Sequence, residues 1–183
     1  MIIERTVIED CFLCKPNIFK DDRGYFMESF NEKTFREVSG VEVHFVQDNQ
    51  SYSQRGVLRG LHYQTGAFAQ AKLVRVLQGE VLDIAVDIRP DSPTFGQHVA
   101  VTLNAEEGWQ FFVPKGFAHG FVVLSETATF FYKCDQFYNK ESEGGIMYND
   151  PTLNIDWRLE SNELIISDKD QQLPQLEKAK QVW

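Results

Sequence analysis

The chain contains few cysteines, few basic residues and no long apolar run. Among its 183 residues, 3 are cysteines, and 18 Lys and Arg stand against 27 Asp and Glu, for a formal net charge of -9. This acidic balance excludes the broad basic surface that gathers nucleic acid. No apolar run approaches the roughly 20 residues that span a bilayer. Residues 1–10 also lack the basic flank and apolar stretch of a signal peptide. We therefore expect a cytoplasmic protein with neither a nucleic-acid nor a membrane partner.

The three cysteines, Cys11, Cys14 and Cys134, cannot form a fully paired disulfide framework, which suits a reducing compartment. Cys11 and Cys14 form a C-x-x-C sequence, a spacing found in zinc and redox sites. On a strand, however, positions three apart point to opposite faces, and no second pair is present to complete a tetrahedral site. We interpret the pair as core packing.

The rest of the composition is that of one folded domain rich in strands. Hydrophobic residues make up 43% of the chain and include 15 Phe, 6 Tyr and 3 Trp, which excludes disorder. No repeat, low-complexity tract or linker divides residues 1–183, so we predict a single domain. Short segments rich in β-branched and aromatic residues predict strands over residues 12–19, 25–30, 44–52, 57–63, 72–77, 80–88, 97–103, 110–113, 119–124 and 127–132.

Strands of this number and spacing predict an all-β sandwich or barrel. Helices are expected only at the periphery. Asn31 is a predicted N-cap for a short helix through about Val38, and a second helix is predicted near residues 173–181.

Two motifs with fixed spacing carry the chemistry. Residues 56–79 contain G-V-L-R-G-L-H-Y-Q followed by a lysine and a glycine, and residues 108–119 read Gly-x5-Pro-x-Gly-x2-His. They resemble the two signature motifs of the cupin superfamily, in which His-x-His and a downstream Glu join the histidine of the second motif. Proline and glycine shape a turn that aims this last histidine into the mouth of a small barrel. The resemblance implies a double-sheet jelly-roll barrel.

The first motif departs from that of metal-binding cupins. Where those proteins offer His, His, Glu and His to a cation, this chain has His62, Gln64, Lys72 and His119. An ammonium at Lys72 cannot coordinate a divalent cation and would repel one beside it. We therefore predict no metal, and expect Lys72 to stabilise an oxyanion instead.

Over nearly the whole chain the sequence is similar to one cupin branch, the dTDP-4-dehydrorhamnose 3,5-epimerases. The resemblance implies a dTDP-4-keto-6-deoxy sugar nucleotide as substrate and its epimerisation at C3 and C5. Ordered blocks carry it between about residues 21 and 170: DRGYFMES (22–29), FVQDN (45–49), VLRGLHYQ (57–64), KLVR (72–75), VDIR (86–89), SPTFG (92–96), PKGFAHGF (114–121), YK (132–133), EG (143–144) and SDKD (167–170).

Such a reaction needs a base on one face of the sugar, an acid on the other, and positive charge near the enolate. His62 is the natural base, because imidazole titrates near neutral pH. The resemblance implies that Asp170 orients its ring, that Lys72 stabilises the enolate, and that Tyr132 returns the proton. A redox-neutral transfer of protons needs no cofactor, so none is expected.

The resemblance also implies a nucleotide site and a homodimer. In this dimer, strand exchange would bring the region from Arg23 to Glu28 to the partner's site. Tyr138 is expected to stack on thymine, with Glu143 in the same pocket. The full set of expected substrate-binding residues is Arg23, Phe26, Glu28, Gln47, Asp48, Asn49, Arg59, His119, Tyr138, Glu143 and Lys169.

Several alternatives stay open at this point. His44 and His98 are interpreted as structural. Asp83 and Asp87 are expected on a partly solvated or pocket-lining face of a strand, with Asp83 orienting His119 as the alternative, and Asp170 could be a solvated surface charge. Rival functions are a single-carbon (C5 or C3) epimerase, a 3,4-ketoisomerase, a metal-dependent cupin enzyme and a non-catalytic sugar-binding cupin.

Overall fold

Two β-sheets of six strands each form the barrel in the computed structural model, which describes residues 1–183. There are two short helices, α1 (Glu32–Ser39) and α2 (Asp168–Gln171). The strands are β1 (Ile2–Arg5), β2 (Phe12–Lys15), β3 (Phe19–Asp21), β4 (Gly24–Phe26), β5 (Gln47–Gln54), β6 (Val57–Gln64), β7 (Lys72–Gln78), β8 (Glu80–Asp87), β9 (His98–Asn104), β10 (Gln110–Val113), β11 (Phe117–Val123), β12 (Thr127–Cys134), β13 (Glu143–Gly145) and β14 (Ile165–Ile166).

From β5 to β12 the chain passes from one sheet to the other at every connection except the one between β8 and β9. The first sheet has the order β1-β2-β10-β7-β12-β5, and the second has the order β13-β6-β11-β8-β9, with β14 also on β6. Neighbouring strands are antiparallel except for β14 on β6. The predicted all-β class and double-sheet jelly-roll barrel are confirmed.

The largest apolar cluster fills the space between the sheets, and a second covers the outer face of the second sheet. Along β8, Val81 and Ala85 belong to the first cluster, whereas Leu82 and Ile84 belong to the second. This alternation is the period of a strand with both faces covered. The residues that cover the outer face come from the C-terminal part of the chain and include Ile146, Leu153, Trp157 and Val182.

The prediction that Asp83 and Asp87 lie on a partly solvated or pocket-lining face is wrong, because both carboxylates are 0% exposed. They lie on the inward face of β8, where the two sheets exclude water. Asp87 accepts hydrogen bonds from Arg89, Ser92 and Thr94 at 2.5–3.0 Å. Buried carboxylates require such donors.

The predicted first helix is confirmed and the second is wrong. The side chain of Asn31 accepts from the Thr34 amide at 3.1 Å and caps α1, which ends at Gly40 in the left-handed conformation. Within 173–181 only a 3₁₀ turn over Leu176–Lys178 forms. Pro174 lacks an N–H and disfavours helical geometry in the residue before it.

Two predicted strands are shorter than expected. The segment 12–19 divides into β2 and the start of β3, with Pro16 between them, and 25–30 continues only to Phe26. Proline cannot donate to a strand ladder, which explains the first break. The resulting β3–β4 hairpin pairs with no other strand, and Phe19, Tyr25 and Phe26 on it are 64%, 65% and 69% exposed.

The interpretation of the C-x-x-C sequence as core packing is confirmed. Cys11 belongs to the cluster between the sheets, whereas Cys14 packs with Phe12 and Phe35 in a third cluster under α1. All three cysteines are free and buried, and burial raises the pKa of Cys14 to about 12.

Neither α1 nor α2 has the length and apolar character of a membrane-spanning helix.

Candidate active site

Four strands, two from each sheet, bring the predicted catalytic side chains together. In the second sheet, β6 and β11 carry His62 and His119, which are direct register partners. In the first sheet, β7 carries Lys72 and β12 carries Tyr132. Two cavities, a first of about 310 Å³ and a second of about 300 Å³, share His62, Lys72 and Tyr132 in their walls. These three side chains therefore stand where the two cavities meet.

His62 is held by a buried carboxylate. Its Nε2 lies 2.7 Å from Oδ1 of Asp170, which is 4% exposed. Burial raises the pKa of Asp170, but the hydrogen bond and charge of His62 outweigh this and leave the pKa below its usual range. Because an ionised carboxylate only accepts, in the neutral ring Nε2 carries the proton and Nδ1 keeps a lone pair. Asp170 is thus no solvated surface charge.

The local structure around Asp170 explains how a residue so distant in sequence reaches β6. β14 pairs in parallel with β6, and Ser167 then caps α2 by accepting from the Asp170 amide at 3.1 Å. The Gly60 amide donates to the second carboxylate oxygen of Asp170 at 3.2 Å. Gly60 has φ +126, and a Cβ there would lie 2.6 Å from the Cα of Gly120 on β11. Glycine therefore permits the close approach of the β6 and β11 backbones near His62.

His119 forms a second histidine–carboxylate pair, deeper in the barrel. Its Nε2 lies 2.9 and 3.0 Å from the two oxygens of Asp83, and the residues are 7% and 0% exposed. Burial raises the pKa of Asp83, and His119 and Lys72 act against that rise. The alternative that Asp83 orients His119 is confirmed.

Lys72 and Tyr132 lie on the opposite sheet from His62. Burial lowers the pKa of Lys72, while nearby Asp83 acts in the other direction. Burial raises the pKa of Tyr132, so its phenol stays protonated at neutral pH. The Lys72 Nζ lies 6.0 Å from the Tyr132 ring centroid. The site thus offers a base on one sheet and a cation and an acid on the other.

The first cavity is lined by a connected set of polar side chains. Gln47 accepts from the Tyr138 amide at 3.1 Å and donates to Asn49 at 2.9 Å. The Tyr138 hydroxyl donates to Glu143 at 3.4 Å, and Lys169 pairs with the same carboxylate at 2.7 Å. Tyr138 is 54% exposed, which leaves its ring face available for stacking.

The second cavity is lined by cationic side chains. The cations are Arg59, Lys72 and Lys169, and the histidines His62 and His119 lie in the same wall. Arg59 is anchored by its Nε, which lies 3.3 Å from Oγ of Ser53. Clustered positive charge of this kind suits a phosphate or an enolate.

Comparison with known proteins identifies the family of the chain. The family model of dTDP-4-dehydrorhamnose 3,5-epimerase matches residues 5–178. The chain belongs to this family. The dTDP-4-dehydrorhamnose 3,5-epimerase of Pseudomonas aeruginosa is 55% identical over 168 residues, 92% of each chain. The dTDP-6-deoxy-D-glucose-3,5-epimerase of Legionella pneumophila, solved in complex with dTDP-4-keto-L-rhamnose, is 52% identical, with a TM-score of 0.93 over 96% of this chain and 93% of that one.

The fold of the epimerase family also accommodates a narrower reaction. ChmJ, a 3'-monoepimerase from Streptomyces bikiniensis solved with dTDP-quinovose, is 34% identical, with a TM-score of 0.88 over 94% of this chain and 87% of that one. The fold alone therefore does not distinguish epimerisation at one carbon from epimerisation at two.

Four of the residues expected from the epimerase family lie outside both cavities. Arg23 pairs with Asp21 in the exposed β3–β4 hairpin, which also carries Phe26, and Glu28 accepts from Asn31. Asp48 points away from the interior because it alternates with Gln47 and Asn49 along β5, and it pairs with Lys133 at 2.9 Å. Within a single chain, these four residues are not brought to the catalytic side chains. His44 and His98, interpreted as structural, also lie outside both cavities.

The cupin motif positions do not fit a divalent metal. Lys72 presents an ammonium where metal cupins have a carboxylate, and Gln64 is engaged by backbone groups. His62 and His119 each direct Nε2 to a carboxylate. A cation here would lack anionic ligands and lie beside a like charge.

Four residues of the first cavity, Tyr63, Gln64, Gln70 and Cys134, were missed by sequence reasoning. Cys134 lines it and accepts from Asn49 Nδ2 at 3.7 Å. Gln64 lines it while buried, with 5% exposure. The signal for Gln64 was present, because it occupies a ligand position of the metal-cupin motif.

Proposed function

We propose that the chain epimerises dTDP-4-dehydro-6-deoxy-D-glucose at C3 and C5, giving dTDP-4-dehydro-L-rhamnose in dTDP-L-rhamnose biosynthesis. The observation that carries the proposal is the placement of His62, backed by Asp170, on one sheet and of Tyr132 on the other, at the junction of the two cavities. This arrangement provides a base and an acid on different sides of one bound ring.

His62 is the proposed base. Its Nδ1 lone pair removes the proton from C3 or C5, each of which is acidified by the neighbouring C4 ketone. As the ring becomes imidazolium, the anionic Asp170 at 2.7 Å stabilises the new charge. The same hydrogen bond fixes the tautomer, and Nδ1 is free again once the imidazolium has released its proton to solvent and the Tyr132 phenolate has taken one up.

Lys72 and Tyr132 complete the proposed reaction. Abstraction of the proton moves negative charge onto the C4 oxygen, and the Lys72 ammonium offers a preorganised partner for it. The Tyr132 phenol, kept protonated by burial, then donates a proton to the opposite face of the carbon. The enolate is consumed by proton transfer, so the redox state is unchanged and no cofactor takes part.

Substrate binding is assigned to the two cavity walls. Tyr138 stacks on the base and is steadied by Gln47 and Glu143, whereas Arg59 and Lys169 take the diphosphate. Asn49 and His119 take polar positions around the nucleotide and sugar.

We assign Arg23, Phe26 and Glu28 to the site of a partner subunit in a homodimer. The exposed apolar side chains of the unpaired β3–β4 hairpin support this assignment, because such a hairpin gains backbone partners by adding to another sheet. We keep Asp48 as a substrate-binding candidate only on the condition that it lies next to this dimer interface. Each chain forms a single domain over residues 1–183, and we place the homodimer in the cytoplasm.

Proton exchange in deuterated water tests the function. With dTDP-4-keto-6-deoxyglucose, we expect deuterium to enter both C3 and C5, as followed by NMR. Entry at one carbon only would indicate a single-site epimerase, and a keto group moved to C3 would indicate the 3,4-ketoisomerase. Binding of dTDP without any exchange would indicate a non-catalytic cupin.

A further inference from the structure

The segment that presents Tyr138 has no strand partners. Residues 135–139 follow the last residue of β12 and precede a 3₁₀ turn over Lys140–Ser142. Side-chain amides hold much of this segment: Gln70 donates to the Gln136 carbonyl at 2.7 Å, and Gln47 accepts from the Tyr138 amide at 3.1 Å. The position of Tyr138 is therefore set by individual side chains rather than by a sheet.

A single buried side chain, that of Gln64, makes two contacts with this segment and a third with the Phe68 carbonyl. Its Oε1 accepts from the Asn139 amide at 2.6 Å, and its Nε2 lies 3.0 Å from the Phe68 carbonyl and 3.2 Å from the Phe137 carbonyl. Both amide hydrogens and the amide oxygen are thus used. Two of the three partners, Phe137 and Asn139, are the residues on either side of Tyr138.

We infer that Gln64 is a positioning residue for nucleotide binding and that it acts through Tyr138. By holding the peptide groups on both sides of Tyr138, it fixes where the ring stands before the nucleotide arrives. Without it, residues 137–139 would need to be ordered on binding, and that loss of entropy would weaken affinity. The inference rests on the proposed function, in which Tyr138 stacks on the base.

The chemistry of the position favours glutamine over the alternatives. A carboxylate would keep the contact with the Asn139 amide but would face two carbonyl oxygens without a proton to donate. A histidine has two ring nitrogens, so it cannot serve three partners. The ligand position of metal cupins has here become an anchor for the loop that carries Tyr138.

The test measures dTDP affinity and steady-state kinetics of the full-length enzyme carrying Gln64→Met. We expect the Kd for dTDP and the KM to rise about tenfold, because the loop that carries Tyr138 loses a stabilisation equal to roughly one net hydrogen bond. Turnover at saturating substrate should stay within about threefold of wild type, because His62, Lys72 and Tyr132 are untouched. A fall in kcat with unchanged KM and Kd would overturn the inference.

A double-mutant cycle with Tyr138→Ala separates positioning from general stability. If Gln64 acts through Tyr138, Gln64→Met should weaken dTDP binding little further once the ring is gone. An equal further loss in that background would overturn the inference. Gln110→Met is the matched control, since Gln110 is 2% exposed, donates to the Ser29 carbonyl and lies outside both cavities.

Gln110→Met should leave dTDP affinity unchanged even where it lowers the melting temperature. If Gln64→Met does not fold, Gln64→Glu carries the same measurements, because it keeps the side-chain volume and one of the three contacts. Failure of the proposed function is measured on the wild-type enzyme: it would then not exchange the substrate protons at both C3 and C5, whether or not it binds dTDP. Wild-type affinity in both Gln64 variants would refute this inference alone.

Discussion

Replacing Asp170 by asparagine removes one charge and one acceptor while keeping the shape of the side chain. In the wild-type protein, the two carboxylate oxygens accept from two donors, His62 Nε2 at 2.7 Å and the Gly60 amide at 3.2 Å. Asparagine has one oxygen for these two donors. If that oxygen serves the buried Gly60 amide, the NH₂ group faces His62 and drives the imidazole proton from Nε2 to Nδ1. The base then carries a proton on the atom that should receive one.

Two effects set the size of the loss. A hydrogen bond to a charged group contributes about 1.5–3 kcal/mol, which corresponds to roughly 10–150-fold in rate when it is lost in the transition state. The wrong tautomer adds the cost of restoring Nε2–H before each abstraction. We therefore expect Asp170→Asn to lower the rate of substrate proton exchange about 10²–10⁴-fold, the range of general-base catalysis.

The assay is an NMR time course of deuterium entry at C3 and C5 under saturating substrate, with dTDP affinity measured separately. Asp168→Asn is the matched control, because it removes a carboxylate from the first turn of the same helix at an exposed position. The control should exchange at the wild-type rate. Exchange by Asp170→Asn within about threefold of wild type would refute the assignment of Asp170 as the partner that orients the base.

Three further outcomes are expected. Lys72→Met should lower turnover about 10²–10³-fold, the cost of one preorganised oxyanion donor, with affinity for dTDP retained in a direct binding assay; wild-type turnover would contradict its role. Tyr132→Phe should lose sugar inversion far more than proton exchange, because His62 still removes and returns a proton on its own face; equal losses, read in one NMR experiment, would place Tyr132 in the abstraction step as well. Burial raises the pKa of Asp87, but hydrogen bonds, led by that from Arg89, outweigh this effect and hold the pKa below its usual range. The ionised Asp87 therefore stabilises the fold above the unfolded pKa of about 3.9, and this stabilisation is lost as the pH falls through the folded pKa. In melts between pH 7 and 3, Asp87→Asn should therefore be less stable than wild type at pH 7 and lose less stability on acidification, and parallel pH profiles would contradict this.

The strands and the two motif histidines follow from local pattern, which is why the sequence predicts them. An enrichment in aromatic and β-branched residues predicts β11 and β12, and fixed spacing from proline and glycine places His119. The burial of Asp83 was not predictable in this way. A strand period states which residues share a face, and only the packing of two sheets decides that the face excludes water.

Asp170, the proposed partner of the base, and Gln64, the proposed anchor of the loop that carries Tyr138, depend on contacts between distant segments. Asp170 lies 108 residues from His62, in a helix of four residues that has no periodicity to read. Gln64 serves backbone groups 4, 73 and 75 residues away. No local signal identifies such partners, and only the resemblance pointed to Asp170. The failed helix at 173–181 has a local cause, since Pro174 was visible in the sequence.

The two histidine–carboxylate pairs become available at different times during synthesis on the ribosome. Asp83 emerges 36 residues before His119, so that pair can form as soon as β11 docks. His62 must wait until Asp170 has been translated. The C-terminal part of the chain that brings Asp170 also covers the apolar outer face of β8, including Leu82 and Ile84. An unfinished chain therefore lacks Asp170 beside His62 and also exposes this apolar face. Chaperones and proteases can recognise such a chain before it could act on a sugar nucleotide.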